Sequence, residues 1–365
     1  MIIQVAILLV LFGLAIGSFL NVCIDRLPPK RFLYMTNDKG DRLEIEISNK
    51  AFFEDPIELI KGKDVLITGK LSRNLSSNDY RIYVTQASQL VTATEATGPE
   101  NAANLEEAKS KIDNTVTISG HIDGGEIKRA SLVTPPSHCD SCSRKLGILD
   151  NIPVLSYLLL GGKCRYCKAK IPVRVLLVEL ITAAIFLLAY WRMGLSTQYG
   201  ITVFWSCVFI VIMFIDWEQT LILNSMTYPG AIIAVILLGV NQFIPGANLF
   251  GDRLFIPHAS LYSGLISAGV LFLFFILIVI ITPGSMGMGD AKLVALIGLI
   301  SGFPLMIFSM IIGVVIGGVV AIVLLATRKK GRKDVIPYGT FLAIGPIVAM
   351  LLPAGIMDWY LSFGH

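Results

Sequence analysis

The chain has 365 residues, 54% of them hydrophobic and only 15% charged, and a mean hydropathy of +0.71. That is too apolar for a soluble domain of this size and points to a helical membrane protein with several spans. The net charge of +4 is too small to suggest a nucleic-acid partner, and what the basic residues report is topology, through where they fall.

The N-terminal stretch MIIQVAILLVLFGLAIGSFLNV has no basic leader region and no small-residue cleavage site. It reads as a retained span rather than a signal peptide. Apolar runs place eight spans at 2–22, 174–191, 201–215, 226–244, 260–283, 290–303, 304–326 and 341–361. The run from Ala291 to Ala326 holds two short spans, with the break at Gly302-Phe303-Pro304; a single crossing there would reduce the count to seven. The basic clusters RLPPKR (Arg26 to Arg31) and TRKKGRK (Thr327 to Lys333) follow spans 1 and 7. Both belong in the cytoplasm, and alternation of eight spans puts them on one side, together with 33–173, Asp216 and Asp290.

Four segments result: the first span over 1–32, an inserted domain over 33–135, a cysteine-bearing loop over 136–173, and a membrane core over 174–365. The insertion is polar and carries short alternating runs, DVLITGKL (64–71), YRIYVTQA (80–87), TVTISGHI (115–122) and EIKRASLV (126–133), which predict strands. VLITGKL and VTISGHI form a weak repeat offset by 51 residues, separated by an acidic low-complexity patch. The fold expected is an all-α polytopic membrane protein of about eight transmembrane helices, with a zinc-ribbon-like cytoplasmic loop and an inserted small β-rich cytoplasmic domain, read as a barrel.

Cys139, Cys142, Cys164 and Cys167 form two CxxC pairs separated by 21 residues. That spacing suits a tetrahedral Zn²⁺ in a reducing compartment, and a closed four-thiolate site is structural because it leaves no position for water. His138 beside the first pair reads as a bystander. Cys23 and Cys207 lie singly in apolar runs and behave as small hydrophobes.

Asp216 closes span 3 in VIMFIDWEQTLILN, and Asp290 opens span 6 in GSMGMGDAKL. An ionisable residue at membrane depth is costly and marks function. Two at one face can share a proton, one activating a water while the other protonates the reacting group. Gly287 and Gly289 would let a substrate backbone approach Asp290. The same residues also admit plainer readings: Asp290 as a helix N-terminal cap, Asp216 as a span-end marker, or the pair as carboxylates of an ion-coupled transporter.

The chain resembles the bacterial prepilin peptidases, the type IV leader peptidases of the GxGD aspartic class. The resemblance is carried by GSFLNVCIDRLP (Gly17 to Pro28), by CDSC…LDNIPVLSYLLLGGKCRYCKAKIPVRVLLVELITA, by GMGDAKL (Gly287 to Leu293) and by IPYGTFLAIGP (Ile336 to Pro346). It covers residues 1–32 and 136–361 in order. It implies that Asp290 of the GxGD box and Asp216, eight positions before Asn224, are the catalytic pair, with Glu218 the less favoured acid. It further implies removal of the basic leader of prepilins and pseudopilins at the cytoplasmic face of the inner membrane, and N-methylation of the new N-terminus from S-adenosylmethionine. Cleavage without methylation is the alternative enzyme. The methyl donor would be held in the cysteine loop around Asp150, Asn151, Gly162 and Lys163. Glycine precedes the lysine of GGKC where the family often has arginine, and LILN stands where the family usually has a proline. The insertion has no family role; contact with substrate, contact with pilus or type II secretion machinery, or no contact at all are the readings open for it.

Among the remaining residues, Asn21 and Arg26 end span 1, with Arg26 suited to acidic lipid headgroups or to a substrate carboxylate. Glu179 lies inside span 2 and should face the bundle interior, where it meets a substrate N-terminus or pairs with Arg174 or Lys292. Lys292 is expected at the substrate cavity with Gly287, Gly289 and Glu179. Tyr338 and Gly339 open the last span and should line the cavity. Trp191, Trp205, Trp217 and Trp359 fit an aromatic belt against membrane lipids.

Overall fold

A computed structural model describes residues 2–36, 42–47, 64–73, 80–84, 90–92, 115–128, 131–132, 137–139, 142, 144–244, 249, 260–282, 286–327 and 336–352. The chain divides into two compact units, one of 1–24 with 174–365 and one of 25–173.

The first unit is helical. Its helices are α1 (Ile2–Arg26), α3 (Val173–Met193), α4 (Thr197–Gln219), α5 (Asn224–Phe243), α6 (Leu261–Ile281), α7 (Met288–Ser301), α8 (Leu305–Ala326) and α9 (Tyr338–Leu351). They stand where the eight apolar runs predict spans. Six of them are long and apolar enough to cross a membrane. The other two, α7 and α9, have only 14 residues each, about 21 Å of helix against a hydrocarbon core of about 30 Å. The expected break between α7 and α8 falls at Gly302, which ends α7 with a left-handed φ of 62°. The last predicted span, 341–361, runs beyond Leu352 into positions outside the described residues.

Small residues set how closely these helices pack, since helices in lipid associate through van der Waals contact rather than a hydrophobic drive. Gly13 and Gly17, four residues apart on α1, lie on α3: a Cβ on Gly13 would stand 2.8 Å from the Ala183 Cα, and one on Gly17 2.6 Å from the Glu179 Cα. Asn21 continues the same stripe and donates its side-chain amide to the Val175 carbonyl at 3.0 Å. Gly298 of α7 meets the Ser267 carbonyl of α6, at 2.8 Å from a built Cβ. Gly345 of α9 is tightest, with the Ser309 carbonyl of α8 standing where its Cβ would be.

The second unit begins with a sheet of six strands: β1 (Lys30–Thr36), β2 (Arg42–Ile47), β3 (Asp64–Arg73), β4 (Tyr80–Val84), β5 (Leu90–Thr92) and β6 (Thr115–Lys128). Their order is β4-β2-β1-β6-β3-β5, and β4 pairs with β3 as well as with β2, so five strands close into a ring. All pairings are antiparallel except β2 with β4. Leu33, Met35, Ile45, Ile47, Ile67 and Ile122 are buried as its core. Phe32 alternates to the other face of β1 yet is 4% exposed. The Lys128 ammonium lies 5.1 Å from its ring centroid and pairs with Glu126 at 2.6 Å.

The predicted strand over 115–122 and the first residues of the one predicted over 126–133 form a single strand that ends at Lys128, a correction with a physical cause. Gly124 and Gly125, between the two predicted runs, sit beside a register shift at Tyr34/Met35, where glycine accommodates a bend without a break. The bent strand serves two neighbours, pairing with β3 through its first half and with β1 through its second. The two members of the weak repeat therefore lie on adjacent strands. The acidic low-complexity patch lies outside the described residues from Ala93 onward.

After the sheet, a 3-10 turn over Ile148–Asn151 and a short helix α2 (Leu155–Leu159) lead through the cysteine loop to α3. The glycine contacts generate a paired test. Gly345→Ala lowers unfolding stability by about 1–3 kcal/mol through overpacking, whereas Gly318→Ala, with nothing within 4 Å of the added methyl, leaves it unchanged. Unfolding midpoints of the purified variants in detergent check both, and equal midpoints would contradict the packing.

Candidate active site

Asp216 lies four residues before Thr220, whose left-handed backbone (φ 49°) ends α4 and whose N–H donates to the Asp216 carbonyl at 2.7 Å. The side chain is 4% exposed. Asp290 is the third residue of α7, and its Oδ2 accepts the N–H of Gly287, the residue before the helix, at 3.2 Å. This is the return half of a capping box, in which a side chain satisfies a donor left open at a helix start.

A third element brings the two carboxyls together. The first turn of α9 reaches Asp216, where Thr340 donates both its N–H (2.6 Å) and its hydroxyl (2.9 Å) to Oδ2. The neighbouring Gly339 marks where the two aspartates converge. A Cβ built on it would lie 3.1 Å from Asp290 Oδ1, 3.2 Å from the Asp216 carboxyl carbon and 2.8 Å from Ile222 Cδ1. No side chain fits there, and the absence of one lets α9 approach both groups. Asp216 and Asp290 line one cavity of 250 Å³ with the 220–222 turn, Gly287, Gly289 and Lys292. Two carboxyls in one small cleft can divide the work of base and acid on a bond placed between them.

The other anticipated residues distribute as follows. Gly287 supplies the amide that holds Asp290, and Gly289 makes room for the turn after α4, since its Cβ would stand 3.1 Å from Ile222 Cβ. Both line the cavity. Lys292 also lines it, with its ammonium on Asn224 Oδ1 at 3.0 Å and 5.5 Å from the Tyr228 ring centroid. Glu218 is turned away into an ion pair with Arg174 at 2.9 Å. Glu179 is buried at 4% exposure where α3 meets Gly17 of α1, and it is not among the residues lining the cavity. Thr340 was not anticipated. Its signal was available in the stretch IPYGTFLAIGP, but a threonine in the first turn of an apolar helix reads as an ordinary helix start.

In the second unit, the four cysteine sulfurs lie within 4.8 Å of one another, and Cys139 and Cys167 are 3.7 Å apart. Zn–S bonds of about 2.3 Å in a tetrahedron separate sulfurs by roughly 3.8 Å, so the cluster fits a metal of that kind. Each CxxC turn is closed by a bridge, His138 with Lys145 and Lys163 with Lys170. Amide donors shape both turns, from Cys139 to the Arg144 carbonyl (3.0 Å) and from Cys164 to the Ala169 carbonyl (2.8 Å). The Arg144 guanidinium, 5.0 Å from the Tyr166 ring centroid, ties one turn to the other. Asp150 accepts from Arg165 Nε at 2.8 Å and from the Gly147 N–H at 3.1 Å, so it fixes the link between the turns. Gly161 and Gly162 are both left-handed (φ 62° and 67°), and nothing lies within 4 Å of a Cβ built on Gly161.

Residues 11–193 match the model of the bacterial peptidase A24 N-terminal domain, and residues 201–322 match that of the type IV leader peptidase family. The chain is 30% identical over 228 residues to a prepilin leader peptidase/N-methyltransferase of Pseudomonas putida, covering 62% of this chain and 75% of that protein. Against the protein of the same description from Bacillus subtilis the identity is 31% over 232 residues, covering 64% of this chain and 88% of the relative. Against that from Pseudomonas aeruginosa it is 32% over 243 residues, covering 65% and 79%. No solved structure matches the chain. The two family models between them span both the cysteine loop and the cleft, and the chain belongs to the type IV leader peptidase family, as a multi-pass enzyme of the bacterial inner membrane.

Proposed function

We propose that the protein removes the leader peptide of prepilins or pseudopilins at the cytoplasmic face of the inner membrane and N-methylates the residue so exposed. The observation that carries the peptidase half is the convergence of Asp216 and Asp290 on one point above Gly339, in a cleft edged by glycines. Relatives described as prepilin leader peptidase/N-methyltransferase support both halves.

In the proposed reaction, one aspartate is ionised and the other protonated. The carboxylate takes a proton from a water as its oxygen attacks the scissile carbonyl carbon, while the protonated aspartate donates to the carbonyl oxygen. The tetrahedral diol then returns a hydroxyl proton to the second aspartate. The C–N bond breaks, and the amine leaves with the proton held by the first. Leader acid and pilin amine are released, the pair regains its starting proton count, and no covalent enzyme intermediate forms. Gly287 and Gly289 admit the substrate backbone, and Lys292 at the rim is placed to meet substrate charge.

The four thiolates would hold a structural Zn²⁺ that gives the loop a core it cannot build from its own apolar residues. S-adenosylmethionine would supply the methyl group when bound. The residues assigned to hold it are Asn151, Gly162 and Lys163, with Asp150 maintaining the loop through Arg165. The left-handed turn is open at Gly161, which suits close approach of such a ligand, while Gly162 packs beneath it against Tyr157. Residues 33–173 are assigned to the cytoplasm, where the inserted sheet would meet pilus or type II secretion machinery, and exposed apolar helix faces would meet lipid.

Purified protein incubated with a prepilin and S-adenosylmethionine yields mature pilin lacking the leader and carrying one added methyl group, read by mass spectrometry. An intact substrate across several prepilins, with the protein folded, overturns the reading. Metal analysis finds one zinc per chain, and Cys142→Ser reduces it to background. Undiminished zinc in that variant would place the metal elsewhere.

A further inference from the structure

We infer that Thr340 is a positioning residue that sets the division of roles in the pair, holding Asp216 as the carboxylate base and leaving the proton to Asp290. The inference rests on the proposed reaction, which requires unlike aspartates but does not say which is which.

The two aspartates are held differently. Asp216 Oδ2 accepts a main-chain N–H at 2.6 Å and a hydroxyl at 2.9 Å, both from Thr340. An oxygen that accepts two donors has both lone pairs engaged, and donors directed at a carboxyl oxygen bind the charged form more strongly than the neutral one. Among the described residues, Asp290 Oδ2 accepts one amide, from Gly287, at the longer distance of 3.2 Å. Hydrogen bonds to a charged acceptor are about twice as strong as neutral ones, and the closer, doubled set is on Asp216.

The helix geometry acts in the same direction. The Thr340 N–H is one of the donors left open in the first turn of α9, and the residue before that helix, Pro337, provides no side-chain cap. Asp216 takes the cap's place from another helix, which sets a carboxylate at the positive end of α9. Gly339 permits this contact, because a side chain there would stand between the helix and both aspartates. The other charged groups lining the cavity with Asp216 are Asp290 and Lys292, the latter's ammonium held on Asn224. The Thr340 hydroxyl has one further acceptor within reach, the Met213 carbonyl at 3.2 Å. The shorter contact, to the carboxylate, is the one assigned to its hydrogen.

The test measures prepilin cleavage by the full-length protein in proteoliposomes for wild type, Thr340→Val, Thr340→Ser, Asp216→Asn and Asp290→Asn. Valine keeps the shape and loses the hydroxyl, so kcat falls at least about tenfold with KM changed less than about twofold, while serine stays within about threefold of wild type. If valine fails to insert, Thr340→Ala carries the same expectation without an added buried methyl. Wild-type kcat for valine, or a loss as large for serine as for valine, assigns Thr340 to packing and overturns the inference. The aspartate variants separate the two levels: cleavage retained in either one defeats the paired reading itself, whereas two inactive aspartate variants beside a fully active Thr340→Val defeat only the role of Thr340.

Discussion

A carboxyl group inside an apolar bundle is stable only where partners have been prepared for it, and the rest of this structure follows from meeting that requirement twice in one cleft. Helix N-termini are the natural source, since each carries amide hydrogens with no partner within its own helix. Asp290 uses the start of its own helix, through Gly287. Asp216 sits near the C-terminal end of α4, where backbone carbonyls rather than amides are open. Its donors come instead from the start of α9, 124 positions away in the chain. The site is thus the meeting point of one helix end and two helix beginnings.

The two short helices of the bundle, α7 and α9, each begin beside an aspartate. Their positions are then fixed by backbone contacts that only glycine permits: Gly298 against Ser267, Gly345 against Ser309 and Gly339 over the two carboxyls. The glycines called on for substrate access have a prior structural duty. Gly287 furnishes an amide and Gly289 admits Ile222, so the space left for a peptide is what remains after the aspartates have been held.

The parts legible in the sequence were those that violate their surroundings. Asp216 and Asp290 are carboxylates in apolar runs, and four cysteines at ribbon spacing need no three-dimensional argument to be grouped. Thr340 violates nothing: a hydroxyl in a helix's first turn is ordinary, and its acceptor lies in another helix. Glu179 stood out for the same reason as the aspartates, yet it lies against α1 rather than in the cleft lining. Charge in an apolar run marks a polar environment without saying which one. In the inserted domain, β1 and β2 lie outside the predicted strands, although RLEIEI alternates as a strand should. Between the two predicted runs, Gly124 and Gly125 bend the strand without ending it.

The central claim is that Asp216 and Asp290 act as one unit on a leader peptide. Its most direct test compares leader release by mass spectrometry for Asp216→Asn, Asp290→Asn and the double variant, under single-turnover conditions. A shared unit predicts that each single variant is as inactive as the double, because removing either member removes the whole function. Loss that accumulates stepwise, with measurable cleavage in one single variant and less in the double, would contradict it.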